Sequence, residues 1–495
     1  MSRIIIQNGN MCELDLPLKF AQKLYNEFAT RHPNAFYLRT RQRGMQNWDG
    51  KIHYITKTGQ FKIGLLPKVY DMCIEMGVKP KVVDMRQPLP KVSKVVTNIG
   101  KYKLRPEQEK AVKAVINNKV GNTPFHIGVL DYTVNAGKTL IMSSLYLSYK
   151  KQLKTLLITN DSDWLNQARE EFKQYLPGED ITFVQGKVLN WSNFTIGMVQ
   201  SISRNMRFYQ KELSQIDMVL VDEADQGGSK QYQNVITRLF NTRIRIGLSG
   251  TIYMSKLAKD KVKNMNLECF FGKVIAEFKL KDSIKKGYST KTVVKMVPGK
   301  PWYGNWESDC ISYKEIYDDS ITNCYTAWLM AYNRLLWNLN QGRYPALVVC
   351  KHIAHCENLY KFFKKKLGDA YNIAYVHVNT PSKLRQQIMK DFREGKIDIL
   401  VSTTIIARGK NFPKLKYLLN TASMDSQEKS IQFLGRLVRT DESKNKVYLD
   451  DLHYPGNYLD RHGKHRKQYY QRQELKVILL DKLWKKHPNH SLIKS

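Results

Sequence analysis

Several things are scarce in this chain of 495 residues. Cysteine comes to 7, an odd count at irregular spacing with no C-x-x-C pair. That speaks against a disulfide framework and for a reducing compartment, the cytoplasm, in which thiols stay free. Long apolar runs are missing, and none approaches the ~18 residues of a membrane span. The start, Met1-Ser2-Arg3-Ile4-Ile5-Ile6-Gln7, turns polar too soon for a secretory leader. Acid is short: Asp+Glu is 44 against 80 for Lys+Arg, a net charge of +36. No sequence repeat is visible.

What is present is ordinary in bulk. Hydrophobic residues are 42% and charged residues 25%, which excludes wholesale disorder. At ~100–200 residues per domain the length suggests about three domains. The basic excess points to a polyanion, because neutralising phosphates releases condensed counterions. A merely solubilising surface is the plain alternative. An anionic membrane would need a basic amphipathic anchor, and none stands out.

Residues 1–90 read as an accessory unit that binds nucleic acid. It has strand-like runs, a helical stretch near Leu18–Ala29, a basic segment Arg39-Thr40-Arg41-Gln42-Arg43, and a turn at Asn47-Trp48-Asp49-Gly50-Lys51. Over 91–290, short apolar runs such as Thr155–Thr159 and Met218–Val221 alternate with helical stretches, the βαβ signature of a parallel sheet. The alternation recurs within 291–455, in Ala346–Val349, Ile397–Ser402 and Lys446–Leu449. Residues 456–495 hold ten Lys/Arg and three Asp/Glu, a basic extension expected to be helical.

The segment Asp131-Tyr132-Thr133-Val134-Asn135-Ala136-Gly137-Lys138-Thr139 follows an apolar run and opens a helical one. A strand, a tight loop and a helix start aim backbone N–H groups and the helix dipole at phosphate. Lys138 would reach the β- and γ-phosphates and Thr139 would hold Mg²⁺. Tyr132 stands where the first glycine of G-x-x-x-x-G-K-[ST] belongs, and Asn135 suits a position with positive φ. Alone, Gly-Lys-Thr fits a surface turn as well. A second motif, Val221-Asp222-Glu223-Ala224-Asp225, ends another apolar strand. Asp222 would face Mg²⁺ and Glu223 would polarise the attacking water. Further on, Gln432-Phe433-Leu434-Gly435-Arg436-Leu437-Val438-Arg439 sets two arginines three apart, which on a helix share a face. They read as arginine fingers or as a plain basic face.

Cys350-Lys351-His352-Ile353-Ala354-His355-Cys356 packs four potential metal ligands into seven residues. It reads better as a strand-to-helix junction, since ligands so close need a loop to converge tetrahedrally.

Taken in order, these residues resemble a superfamily 2 helicase. Arg105-Pro106-Glu107-Gln108 resembles the adenine-reading element, Thr133–Thr139 motif I, and Thr159-Asn160-Asp161 motif Ia. Met198-Val199-Gln200-Ser201 resembles the next strand-contacting motif, Asp222–Asp225 motif II, and Gly247-Leu248-Ser249-Gly250-Thr251 motif III. Lys351-His352 falls in motif IV, Thr403–Gly409 resembles motif V, and Gln432–Arg439 motif VI. Over nearly the whole chain the likeness is to the UvsW-type helicases of tailed phages, through Arg43, Asn47–Lys51, Gly64-Leu65-Leu66-Pro67 and Lys351-His352. That group also replaces the glycine matching Asn135. Ser249-Gly250-Thr251 and Gln432 differ from the DEAD-box pattern, while Thr404 and Asn411 stand where many relatives carry aspartate.

The resemblance implies an α/β fold: two RecA-like parallel-sheet domains in tandem, a small N-terminal α+β domain and the basic C-terminal helical extension. It implies ATP hydrolysis with Mg²⁺, coupled to unwinding or migrating single-stranded and branched duplex DNA. Fork regression, branch migration and R-loop or D-loop unwinding belong to this expectation. RNA–DNA hybrids, recombination or single-strand-binding proteins, a monomeric state and a phage origin belong to it too. By the same route Glu223, Asp222, Lys138, Arg436, Arg439 and Gln432 are the catalytic set. Arg105, Gln108, Val134, Asn135, Ala136, Gly137, Lys138, Thr139 and Gly409 hold nucleotide. Asn160, Gln200, Ser201, Lys351, His352, Thr403 and Arg408 contact the strand, with Arg41, Arg43 and Trp48 gripping duplex or junction. Trp48 reads equally as a core aromatic. The rivals are an RNA or hybrid helicase, a duplex translocase that separates no strands, and a passive binder with a degenerate ATP site. A nuclease is disfavoured, because no second acidic cluster exists.

Overall fold

The computed structural model describes residues 2–41, 44–149, 152–160, 162–186, 188–252, 261–299, 312–407 and 412–480. The chain divides into two compact units, Met1–Phe278 and Lys279–Ser495. Each is built on a parallel sheet.

The first unit centres on eight strands. In order across the sheet they are Val188–Leu189, Ile181–Gln185, Phe194–Met198, Thr155–Thr159, Met218–Asp222, Ile244–Ser249, His126–Tyr132 and Val274–Phe278. All pair in parallel except Val188–Leu189. Five of them are buried at every residue. Continuous apolar runs such as Met218-Val219-Leu220-Val221 are what a parallel sheet covered on two faces requires. This is the parallel sheet expected from the alternating pattern, in the RecA-like form that the resemblance implies.

The N-terminal residues add a smaller sheet, ordered Gln60–Lys62, Met11–Asp15, Arg3–Ile6, Lys81–Asp84. Its strands alternate buried and exposed, as half-covered strands do. The buried set, with Ile4, Ile6, Cys12 and Phe61, runs into one core with Ile127, Val219 and Phe271. A buried arginine joins the two sheets: Arg245 Nη2 donates to Gly9 O at 2.6 Å and to Asn10 Oδ1 at 2.8 Å. Gly9 lies so close that a Cβ there would meet Leu239 O at 2.5 Å.

The second unit holds seven parallel strands, ordered Ile373–Val376, Ile399–Thr403, Ala346–Cys350, Tyr417–Asn420, Lys446–His453, Lys291–Pro298 and Val477–Leu479. Strand Lys446–His453 carries adjacent acids whose side chains take opposite faces, as period two dictates. Asp450 accepts from Arg334 Nε at 3.0 Å and Tyr417 Oη at 3.1 Å. Asp451 accepts from Arg466 Nε at 2.9 Å, Asn420 Nδ2 at 2.8 Å and Tyr470 Oη at 2.7 Å. Arg466 belongs to helix Asn457–Arg472, so the extension expected over 456–495 is helical there and that helix is part of the core, while residues 481–495 lie outside the described residues. The chain then adds strand Val477–Leu479, which the sequence pattern did not announce because three residues carry no periodicity. Among the described residues no helix is long and apolar enough to cross a membrane. The described cysteines are free thiols.

Candidate nucleotide site and nucleic-acid face

Strand His126–Tyr132 ends at the loop that opens helix Lys138–Ser148. Tyr132 is the last buried residue of the strand, and its hydroxyl donates to Glu107 O at 2.8 Å. The missing first glycine is therefore no defect of the loop. The tyrosine struts the strand against helix Pro106–Ile116. Asn135 and Gly137 take φ of 64° and 70°, the left-handed conformation that asparagine and glycine tolerate. Two such residues in a short loop turn successive N–H groups inward ahead of the helix start.

Arg105 and Gln108 brace this loop. Gln108 Nε2 donates to Ala136 O at 2.8 Å, its Oε1 accepts from Arg105 N at 2.8 Å, and Arg105 Nη1 donates to Asn135 O at 3.3 Å. Gln108 is wholly buried, so its amide is engaged with protein backbone. Val134 is half-buried and Ala136 buried in the same loop.

Across the sheet, strand Met218–Asp222 delivers the acids. Lys138 Nζ stands 3.8 Å from Asp222 Oδ1. Glu223 follows with φ 52°, a strained value for glutamate that turns its side chain out of the strand direction. Asp225 Oδ1 accepts from Ser249 Oγ at 3.0 Å, and Ser249 Oγ lies 3.1 Å from Thr251 Oγ1. The acidic motif and Ser249-Gly250-Thr251 are thus physically linked. The residues fit a magnesium nucleotide. Thr139 is half-buried in the first helical turn, Asp222 is a buried carboxylate beside the lysine, and Thr133 Oγ1 is buried with no hydrogen-bond partner among the described residues. Hydroxyl, carboxylate and phosphate oxygens are the ligands Mg²⁺ prefers.

Elsewhere in this unit, Gln200 Nε2 donates to Asn160 O at 3.4 Å, and Ser201 Oγ accepts from Gly186 N at 3.0 Å. Gln200 Oε1 and Asn160 Oδ1 are buried without partners among the described residues. In the N-terminal part Trp48 is half-buried, its Nε1 bonded to Lys51 O at 2.9 Å. Arg41 is exposed over the ring of Tyr37 at 4.7 Å, beside Phe36, which is 79% exposed. Arg43, Arg408, Gly409 and Asn411 lie outside the described residues.

In the second unit Lys351 and His352 follow strand Ala346–Cys350. Lys351 Nζ lies 3.9 Å from the ring centre of Tyr313, and His352 meets Tyr317 edge-on at 4.8 Å. With Thr404, Met424 and Lys429 they line a cavity of about 430 Å³. Lys429 Nζ donates to Thr404 Oγ1 at 3.2 Å. Burial holds Lys351 below its usual range, and the charge of Lys429 adds to it. Burial and then Lys351 hold His352 down. Thr403 ends the neighbouring strand, buried. Tyr313 and Lys429 were not foreseen. Lys429 stands one helical turn before Gln432, which is the signal that was available.

One reading needs amending, and another stands as made. Helix Gln427–Leu437 contains Gln432 and Arg436 but is capped at Val438, so Arg439 lies beyond it and shares no helical face with Arg436. Its carbonyl accepts from Thr290 Oγ1 at 3.0 Å. The Cys350–Cys356 segment is the junction, with no metal-binding group among the described residues. His355 Nδ1 bonds Tyr317 Oη at 3.0 Å, and Cys356 Sγ donates to Val401 O at 3.5 Å.

Two family models match this chain: "Type III restriction enzyme, res subunit" over residues 101–254 and "Helicase conserved C-terminal domain" over 329–441. They divide between the two sheets in the order expected. Both sheets thus match models of helicase-type domains, and the chain is similar to the superfamily 2 helicases. A curated relative, putative helicase 22 of Sulfolobus islandicus filamentous virus, is 22% identical over 71% of this chain and 64% of its own length. The structure of the ATP-dependent Type ISP restriction-modification enzyme LlaBIII bound to DNA covers 81% of this chain and 33% of that chain, with 16% identity and TM-score 0.56. The crystal structure of T4 UvsW is similar over 97% of this chain and 98% of that one, at 19% identity and TM-score 0.44. The first curated relatives are covered over only 64% and 51% of their own length.

Proposed function

We propose that this helicase-family chain is an ATP-driven motor that remodels branched DNA by regressing forks, migrating branches and displacing strands from R-loops or D-loops. The observation that carries it is the loop from Thr133 to Thr139, with left-handed Asn135 and Gly137 leading to Lys138 beside Asp222. Asparagine at that loop position preserves the conformation that binding phosphate needs, which argues against a degenerate site. In this reading the loop N–H groups and Lys138 hold the phosphates. Thr139 and Asp222 would hold Mg²⁺, which would supply charge neutralisation at the phosphates. Glu223 accepts the proton of the attacking water. The Asp225–Ser249 bond carries the change at the acidic motif toward Thr251. Net charge +36 supports a polyanion as the track.

The test is ATP hydrolysis alone and with single-stranded DNA, forked DNA and RNA, with Lys138→Ala beside the parent chain. Stimulation strongest with forked DNA and absent in Lys138→Ala is expected. Stimulation by RNA in preference to DNA would turn the reading to an RNA helicase. Tight binding without hydrolysis on any nucleic acid would leave a passive binder.

A further inference from the structure

The second unit carries a basic and aromatic cluster apart from Lys351 and Thr403. It gathers Trp337 from helix Tyr325–Leu339, Arg343 from the turn after it, Lys295 from strand Lys291–Pro298, and Lys446 and Tyr448 from strand Lys446–His453. The Arg343 guanidinium is clamped between rings, 3.5 Å from the centre of Tyr448 and 4.8 Å from that of Trp337. Its Nη1 donates to Asn338 Oδ1 at 2.8 Å, and Asn338 is anchored on buried Asp450 at 3.1 Å. Lys295 Nζ lies 4.9 Å from the centre of Trp337, and Lys446 Nζ 5.6 Å from that of Tyr448.

Charge is unbalanced here. Asp450 already serves Arg334, Asn338 and Tyr417. Among the described residues Lys295, Arg343 and Lys446 reach no carboxylate at ion-pair distance. Burial holds the Lys295 ammonium below its usual range, and Arg334, Arg343 and Lys446 press the same way against Asp450 alone. Holding unpaired cations together costs Coulomb energy in the free protein, and an anion would offset it. The cations are strung along two rings instead of converging on one point. That suits a row of phosphates at ~3.4 Å per step along a strand better than one compact ion. The ring faces are occupied by cations, which leaves the backbone and not the bases as the ligand.

Position separates this cluster from the cavity at Lys351. Arg343 precedes the first residue of strand Ala346–Cys350, whereas Lys351 follows its last. Five residues at ~3.3 Å each put roughly 17 Å between the two ends.

We propose that this cluster is a second nucleic-acid contact that grips the phosphodiester backbone of a duplex arm. The proposal rests on the reading of the chain as a DNA motor. The test uses the full chain with Lys295→Glu/Lys446→Glu and, as a milder variant, Lys446→Ala. Affinity for a forked DNA and for a single strand of the same length is measured over a salt series, with strand-stimulated ATP hydrolysis alongside. The expected result is about tenfold weaker fork binding and a salt slope smaller by about 2 in the double variant, and by about 1 in Lys446→Ala. Single-strand affinity and hydrolysis should hold. Unchanged fork binding, or equal loss for fork and single strand, would overturn the second contact. A parent chain whose hydrolysis ignores DNA would instead sink the motor reading.

Discussion

Two junctions are built alike, each just past the carboxyl end of an inner parallel strand. In the first unit the loop at Thr133–Lys138 is shaped by backbone: left-handed Asn135 and Gly137, braced by Gln108 on Ala136 O. In the second unit Lys351 and His352 are shaped by side chains: rings of Tyr313 and Tyr317 and the amine of Lys429. Backbone N–H groups cannot be moved without refolding the turn, so they suit a ligand that must be held in one pose. Long cationic side chains exchange one phosphate for the next, which suits a track.

Breaking the first junction should have the largest effect. Glu223→Gln should lower strand-stimulated turnover by about 10²–10⁴-fold with nucleotide affinity retained, as read by steady-state hydrolysis and fluorescent-nucleotide binding. Loss of binding with equal loss of turnover would make Glu223 a structural residue.

The second junction should be the one that feels pH. Burial, with His352 beside it, holds His355 down to about 3 from an ordinary 6.5. The folded chain therefore refuses a proton that the unfolded chain accepts. The stability this contributes is present above 6.5 and is lost as pH falls toward 3. Between pH 7 and pH 5 the loss is roughly 2 kcal/mol. Urea unfolding of the parent and of His355→Gln at the two values should differ by that amount, and parallel losses would refute it.

The backbone claim is sharpened by Asn135. Asn135→Gly should keep hydrolysis, while Asn135→Val, which resists positive φ by about 1–2 kcal/mol, should lose about tenfold. Equal behaviour of the two variants would mean that the loop relaxes freely.

The smallest expected effect is Lys351→Ala. It should weaken DNA binding a few-fold and reduce the salt slope by about 1, with the KM for ATP unchanged. A raised KM would place Lys351 with nucleotide.

The shape of the first junction was legible because it lives in local sequence. Lys138, Thr139, Asp222 and Glu223 follow apolar strands, and positive φ at Asn135 follows from residue type. The strands themselves were legible as apolar runs. What escaped depends on partners far away in the chain. Tyr132 looked like a departure because Glu107 O, its partner, is invisible in the motif. The helical face expected for Arg436 and Arg439 failed at Val438, where the helix ends with no glycine or proline at that point of the sequence to mark it. Residues 1–90 read as a separate piece, yet Gly9 and Arg245 meet across 236 positions.

Strand Lys446–His453 ties together more than its length suggests. Asp450 fastens the helix on one face and Asp451 the helix on the other, with Arg334 and Arg466 as the respective bolts. Neither layer can peel away without stripping a buried acid of its arginine. The unit should therefore open all at once, and the amides of this strand should be the last to exchange with deuterium.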